Sequence, residues 1–255
     1  MSRTVGIVVP AYRPDVAVLR RYLDMLGAVV DPDVLCVELD SPTAAVRESL
    51  EETQADVHVS ERRRGKGAAI THGFENLDTD VLAFADADGS TPAESIEDVV
   101  APVRAGRTDL AVGSRRHPDA DVRSHQTILR QHLGDAFAWL GRRFLDVPLY
   151  DYQCGAKAMT RETWAGVRDH LYESGFAWDI ELVAMADALG RSIEEVPVAW
   201  EDHPDSTVDT SQAVPELLSA LVSARHRARR LNGDPIHTSI GTHRAEKSPL
   251  INQNR

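Results

Sequence analysis

Asp86 and Asp88 are the residues of this 255-residue chain whose type and spacing point most directly to chemistry. They stand two apart, directly after the apolar run Val81-Leu82-Ala83-Phe84-Ala85, so that a turn lets both carboxylates lean into one crevice. Hard oxygen ligands of this kind suit Mg²⁺ or Mn²⁺, which keep several waters and bridge to phosphate oxygens. In isolation a D-x-D-G run is more often a tight turn with solvated acids. The strand ahead of it places this one at the ligand edge of a sheet, which favours a site.

Other chemistries are poorly represented. No Ser-His-Asp or Cys-His set is visible, and the histidines form no H-E-x-x-H or Cys-x-x-Cys constellation, so a zinc enzyme is not indicated. Lys66 lies between two glycines but lacks the G-x-x-x-x-G-K-[ST] spacing of a phosphate-binding Walker loop. Two cysteines, Cys36 and Cys154, favour a reducing compartment.

The elements that must position the acids alternate along the chain. Val5–Val9 reads as a buried strand closed by the turn residues Pro10 to Pro14, and Val16–Val30 has helical spacing. A strand at Val34–Leu39, a helix after Pro42, a strand at Val57–Val59, a helix over Gly65–Asn76 and the strand Val81–Ala85 follow. Continuously apolar strands separated by helices imply a parallel sheet covered on both faces. Further on, the spacing predicts a strand at Asp109–Val112, a long helix carrying the stripe Ile128–Leu145, a helix at Asp179–Leu189, a strand at Ile193–Trp200 and a last helix at Pro215–Leu231. One domain over residues 1–232 is expected, with a polar tail over 233–255.

Acids outnumber bases by 40 to 28, a formal charge of −12, which repels a polyanion and argues against nucleic-acid binding. Lysine is nearly absent from the bases. Excess acid with arginine in place of lysine fits a chain working in high salt, as in a haloarchaeon, or one encoded by a GC-rich genome. No signal peptide or membrane-spanning window is evident, so a cytoplasmic protein, peripheral at the cytoplasmic face of a membrane, is expected.

Seven blocks occur in a particular order: Val8-Val9-Pro10-Ala11-Tyr12, Arg64-Gly65-Lys66-Gly67-Ala68-Ala69, Ala85–Ser90, Gly113-Ser114-Arg115, Asp151-Tyr152-Gln153-Cys154-Gly155-Ala156-Lys157, Phe176–Leu182 and Ile193–Trp200. Together they resemble family 2 glycosyltransferases of the GT-A fold. The D-x-Q-C-G-x-K block and the segment around Trp178-Asp179 narrow the likeness to dolichyl-phosphate glucose and mannose synthases.

The resemblance implies an α/β fold: a GT-A (nucleotide-diphospho-sugar transferase) Rossmann-like three-layer α/β/α sandwich with a mostly parallel central sheet. It also implies an inverting, metal-dependent hexosyltransferase. Such an enzyme moves a hexose from a UDP-glucose or GDP-mannose type donor to dolichyl or polyprenyl phosphate, supplying lipid-linked sugar for protein glycosylation. The Asp-Ala-Asp-Gly-Ser and Gln-Cys-Gly runs lean to the glucose branch. A phosphate acceptor is already anionic near neutral pH, with a second pKa of about 6, and needs no general base.

By the same resemblance Asp86 and Asp88 hold Mg²⁺ or Mn²⁺ at the donor diphosphate. Arg115 and Arg130 hold the acceptor phosphate, with Ser206 donating. Pro10, Ala11, Tyr12 and Glu38 surround the nucleobase, Lys66 lies near the donor, and Gln153, Trp178 and Asp179 line the sugar pocket. Trp178 fits a core aromatic almost as well, and Glu181 a structural acid.

Three departures stand out. The family's P-A-Y-N-E reads Pro10-Ala11-Tyr12-Arg13-Pro14, its V-D-D-G-S reads Val37-Glu38-Leu39-Asp40-Ser41, and a G-S-K reads Asp205-Ser206-Thr207. They keep open a soluble or glycan acceptor, which would need a base such as Asp179, and a catalytically degenerate nucleotide-sugar-binding subunit. Membrane contact has three candidates: the last helix with Arg225, Arg227, Arg229 and Arg230, the stripe on Ile128–Leu145, and a membrane-anchored partner subunit.

Overall fold

Alternating side chains on a single strand set up the architecture. On β1 (Val5–Tyr12), Val5, Ile7, Val9 and Ala11 belong to one buried cluster and Val8 to another on the opposite face. This computed structural model describes residues 3–123, 141–201, 210–235, 237 and 248–253. Chain order continues with α1 (Val16–Val29), β2 (Val34–Asp40), α2 (Ala44–Glu51), β3 (Asp56–Ser60), α3 (Lys66–Asn76), β4 (Val81–Ala85) and α4 (Ala93–Arg104). The second half contains β5 (Leu110–Ser114), β6 (Val122–Arg123), β7 (Ala156–Thr160), α5 (Arg161–Val167), α6 (Trp178–Ala188), β8 (Ile193–Pro197), β9 (Trp200–Glu201) and α7 (Thr210–Leu231).

Seven strands form the main sheet in the order β3-β2-β1-β4-β7-β5-β8. All run parallel except β7, which pairs antiparallel with both β4 and β5. One face buries Leu19, Leu23 and Leu26 of α1 and Ile96 and Val100 of α4; the other buries Ile70 and Phe74 of α3, Trp164 of α5 and most of α6. The expected three-layer α/β/α sandwich is therefore present. Short β6 and β9 pair in a separate ribbon.

Helix starts follow local chemistry. Asp15 accepts from the Val18 amide at 3.0 Å to cap α1, and Thr160 accepts from Thr163 to cap α5.

Three features depart from or add to the expected elements. The first strand does not stop at Val9: Pro10, Ala11 and Tyr12 pair with Glu38, Leu39 and Asp40. Beyond Val8 only β2 flanks β1, so Pro10 sits on a local edge where a missing N–H is tolerated. Second, β7 is an additional strand with no counterpart among the expected elements; it carries Lys157, which has a buried partner, described below. Third, part of the expected tail docks. Leu250 is buried, and its amide donates to the Leu171 carbonyl at 2.9 Å.

Candidate active site

Strand order reverses at β1 and β4, and ligands in open α/β sheets bind beyond the carboxyl ends of strands at such a point. Tyr12 ends β1 there, and the Asp86–Gly89 turn follows β4, closed by Gly89 at φ +68°. The Asp86 amide donates to the Gly155 carbonyl at 3.0 Å, and the Ser90 amide donates to Asp88 Oδ1 at 3.0 Å. A Cβ on Gly155 would lie 1.9 Å from Asp86 Oδ2, so the absence of a side chain there makes the cradle for this carboxylate. Asp88 is open to solvent on one side. Its carboxyl is still held above the usual range, first by desolvation in the crevice and then by the Asp86 charge. Two crowded carboxylates in such a cradle fit a hard divalent cation.

Lys66 begins α3 and reaches the same turn. Its Nζ lies 2.9 Å from Asp86 Oδ1 and 3.1 Å from Asp179 Oδ2. Burial disfavours this ammonium, but Asp179 and Asp86 outweigh it and hold the pKa above that of an ordinary lysine. Asp179, at the start of α6, is 1% exposed and also receives Lys157 Nζ at 2.6 Å. Lys157 donates in turn to the Cys154 carbonyl at 2.8 Å. The D-x-Q-C-G-x-K block thus supplies both the glycine beneath Asp86 and a second ammonium for Asp179.

α3 can approach because Gly65 takes φ +96°. A Cβ on Gly65 would meet the Ser174 carbonyl at 2.5 Å, and Ala68 donates to that same oxygen at 3.2 Å. The loop before α6 is fixed from below by Glu181, whose carboxylate accepts from the Tyr172 and Glu173 amides and pairs with Arg227 of α7. Burial pushes the Glu181 carboxyl up to about 7, which Arg227 and the two amides only partly offset.

The remaining expected residues separate. Pro10 and Tyr12 are half-exposed at the crevice rim, and the Arg63 guanidinium lies 4.3 Å from the Tyr12 ring centroid. Ala11 points the other way, into the core, because strand alternation puts it with Val9. Glu38 is fully buried beneath α3, held by Arg64 at 2.9 Å, His58 at 2.8 Å and His72 at 2.9 Å, so it does not face a nucleobase. Trp178 is a core residue: its Nε1 donates to Thr71 at 3.1 Å and its ring packs on Phe74, Phe84 and Trp164.

Arg115 forks onto Asp151, with Nε to Oδ2 at 2.7 Å and Nη2 to Oδ1 at 3.1 Å. Burial would raise the Asp151 carboxyl, but the Arg115 charge and hydrogen bonds bring it down to about 2. The bidentate face expected for an acceptor phosphate is therefore engaged within the protein. Gln153 is half-buried beside this pair, its amide donating to Asp151 at 3.0 Å. Arg130 and Ser206 lie outside the described residues, as does most of the Ile128–Leu145 stripe.

On α7, Leu218 and Val222 are exposed, but Arg225 donates to the Phe144 carbonyl, Arg227 to Glu181 and Arg229 to Asp146. These three arginines are paired rather than forming an open basic face. No helix among the described residues is long and apolar enough to cross a membrane.

Known proteins resemble this chain in sequence and in fold. The glycosyltransferase AglD of Haloferax volcanii is 33% identical over 219 residues, covering 80% of this chain and 34% of that protein. A dolichyl-phosphate beta-glucosyltransferase of Saccharomyces cerevisiae is 29% identical over 152 residues, 55% of this chain and 46% of the yeast protein. The chain thus spans a third to a half of the length of these relatives. Among solved structures, glucosyl-3-phosphoglycerate synthase from Mycobacterium tuberculosis, in complex with Mn²⁺, UDP and phosphoglyceric acid, superposes with a TM-score of 0.69 at 20% identity. That likeness covers 88% of this chain and 78% of the other, and it shows the shared fold. The sequence profile named Glycosyl transferase family 2 matches residues 6–164, more than half of the chain, from β1 through Asp86 and Asp88 to α5. The chain belongs to glycosyltransferase family 2.

Proposed function

We infer that this chain catalyses inverting transfer of a hexose, glucose by the leaning of its relatives, from a nucleotide sugar to dolichyl or polyprenyl phosphate. The single observation that carries the choice of acceptor is the state of Asp179. Its two oxygens receive Lys157 and Lys66, and it is 1% exposed. A buried carboxylate paired with two ammoniums is badly placed to take a proton from an acceptor hydroxyl, because a general base must come within hydrogen-bond reach of that proton. An acceptor phosphate brings its own anionic oxygen and needs only alignment and charge balance. Two names among the relatives support the reading: the yeast protein acts on dolichyl phosphate, and the mycobacterial structure holds UDP with Mn²⁺.

In this reading Asp86 and Asp88 hold Mg²⁺ or Mn²⁺, whose chemistry is to neutralise the leaving diphosphate. Lys66 places a second positive charge at the same edge, while Asp179 and Asp86 fix its position. Pro10 and Tyr12 border the nucleobase, with Arg63 closing over the ring. Arg115 and Asp151 form the wall toward the acceptor, Gln153 lies on the sugar side, and Arg130 and Ser206 are retained as acceptor-phosphate groups. The protein works peripherally at the cytoplasmic membrane face, with exposed Leu218 and Val222 or a membrane-anchored partner as the contact.

The test is an incubation of purified protein with polyprenyl phosphate, Mn²⁺ or Mg²⁺ and a panel of labelled UDP- and GDP-sugars. A lipid-extractable sugar phosphate from one donor is expected. No lipid product from any donor, or full activity in Asp88→Ala, overturns the reading.

A further inference from the structure

Away from Asp86 and Asp88, three elements converge on a second set of metal-ligating atoms. Cys36 and Glu38 project from β2 to the α3 side, His58 from β3 and His72 from α3. Cys36 Sγ lies 3.3 Å from His58 Nδ1 and 3.8 Å from Glu38 Oε1, and His58 Nδ1 lies 2.8 Å from Glu38 Oε1. His72 Nδ1 approaches the same oxygen at 2.9 Å.

We propose that Cys36, Glu38 and His58 form a site for one borderline-soft divalent ion of the Zn²⁺ class, separate from the Asp86–Asp88 pair, with solvent completing the coordination and His72 orienting the Glu38 carboxylate. Tetrahedral zinc with sulfur at about 2.3 Å and nitrogen or oxygen near 2.0–2.1 Å separates its ligand atoms by about 3.3–3.6 Å. The sulfur contacts already bracket that range. The nitrogen–oxygen contact is at hydrogen-bond length and must open by about half an ångström.

Ligand type and charge agree. Thiolate and imidazole select zinc, cobalt or nickel over magnesium. Arg64 Nη1 holds Glu38 Oε2 at 2.9 Å, leaving Oε1 toward the other donors, and Asp40 anchors Arg64 through Nε at 2.7 Å. Supporting contacts of this kind orient a ligating carboxylate. Burial and the Glu38 charge keep the Cys36 thiol protonated, so binding must displace its proton; with that proton gone, Cys36, Glu38, Asp40 and Arg64 sum to two negative charges, which a divalent ion cancels. Cys36 and Glu38 are buried, while the His58 and His72 side chains are 40% and 35% exposed and provide an entry path. The ion would staple the edge strand β3 to β2, and its Glu38 ligand is in turn held by His72 of α3, the helix that carries Lys66.

The test is a Co²⁺ titration, followed by Zn²⁺ competition, of chelator-treated protein in an Asp86→Asn/Asp88→Asn background, which keeps the outcome independent of transferase activity. One equivalent should bind with a dissociation constant of about 1 μM or tighter, giving tetrahedral cobalt bands and a sulfur-to-cobalt charge-transfer band. Cys36→Ser should abolish the charge-transfer band. His58→Ala/His72→Ala, at half-exposed positions, should weaken binding at least tenfold while the circular dichroism stays unchanged. Absence of the sulfur band in the background protein, or undiminished affinity in His58→Ala/His72→Ala, overturns the proposal and leaves a hydrogen-bonded cluster.

Discussion

Lys66 Nζ stands 2.9 Å from Asp86 Oδ1, so the first acid after β4 already carries one positive charge from the start of α3. The same ammonium reaches Asp179, and donor edge and α6 are joined through one atom.

Lys66→Gln should therefore lower kcat by about 10²–10³-fold, the scale of losing one preorganised charge at a developing anion. Asp179 keeps Lys157, so the fold should survive. Lys66→Arg should recover part of kcat, and steady-state kinetics with unchanged circular dichroism checks both.

Gly155→Ala places a methyl group where Asp86 Oδ2 lies, 1.9 Å from the ideal Cβ. Displacing that carboxylate by about an ångström should cost at least 10²-fold in kcat/KM. Mn²⁺ affinity measured by calorimetry should fall with it. Unchanged kinetics would remove Asp86 from the account.

Much of this frame was legible beforehand, and the reason is local. Val81–Ala85 is apolar throughout and stopped by the D-A-D-G turn, so strand and site were both readable. β7 was not, because Lys157 in a buried strand makes sense only once Asp179, distant in sequence, is seen beside it. Trp178 and Glu38 were assigned to the ligand for the same reason: motif position does not say which face of an element a side chain takes. The Cys36–Glu38–His58 cluster has no spacing signature, since its members come from two strands distant in sequence.

Glu181 gives stability a pH signature. Its carboxyl sits at about 7 in the fold against an ordinary value of 4.5. The raised value means its contribution is fully present below about pH 4.5 and is lost as pH rises through about 7. Relative to Glu181→Gln, the native protein should lose about 3 kcal/mol between pH 4.5 and 8. Urea melts of both proteins across that window measure the difference.

Asp151 carries the opposite sign. Held down to about 2 by Arg115, it stabilises the fold above its ordinary value of 3.8, and that contribution is lost as pH falls through 2. Asp151→Asn strips the buried partner of a guanidinium that is 29% exposed, and should cost about 2–3 kcal/mol at neutral pH. Arg115→Lys cannot restore the fork and should recover little of the pair's contribution in thermal melts.

The central proposal is that the acceptor supplies its own anionic nucleophile, in keeping with an Asp179 held by two lysines. The direct measurement offers the enzyme one labelled nucleotide sugar with polyprenyl phosphate and, in parallel, the matching polyprenol and a glycan, each bearing only hydroxyls. Transfer to the phosphate alone is the expected result. Transfer to either hydroxyl acceptor with none to polyprenyl phosphate contradicts it.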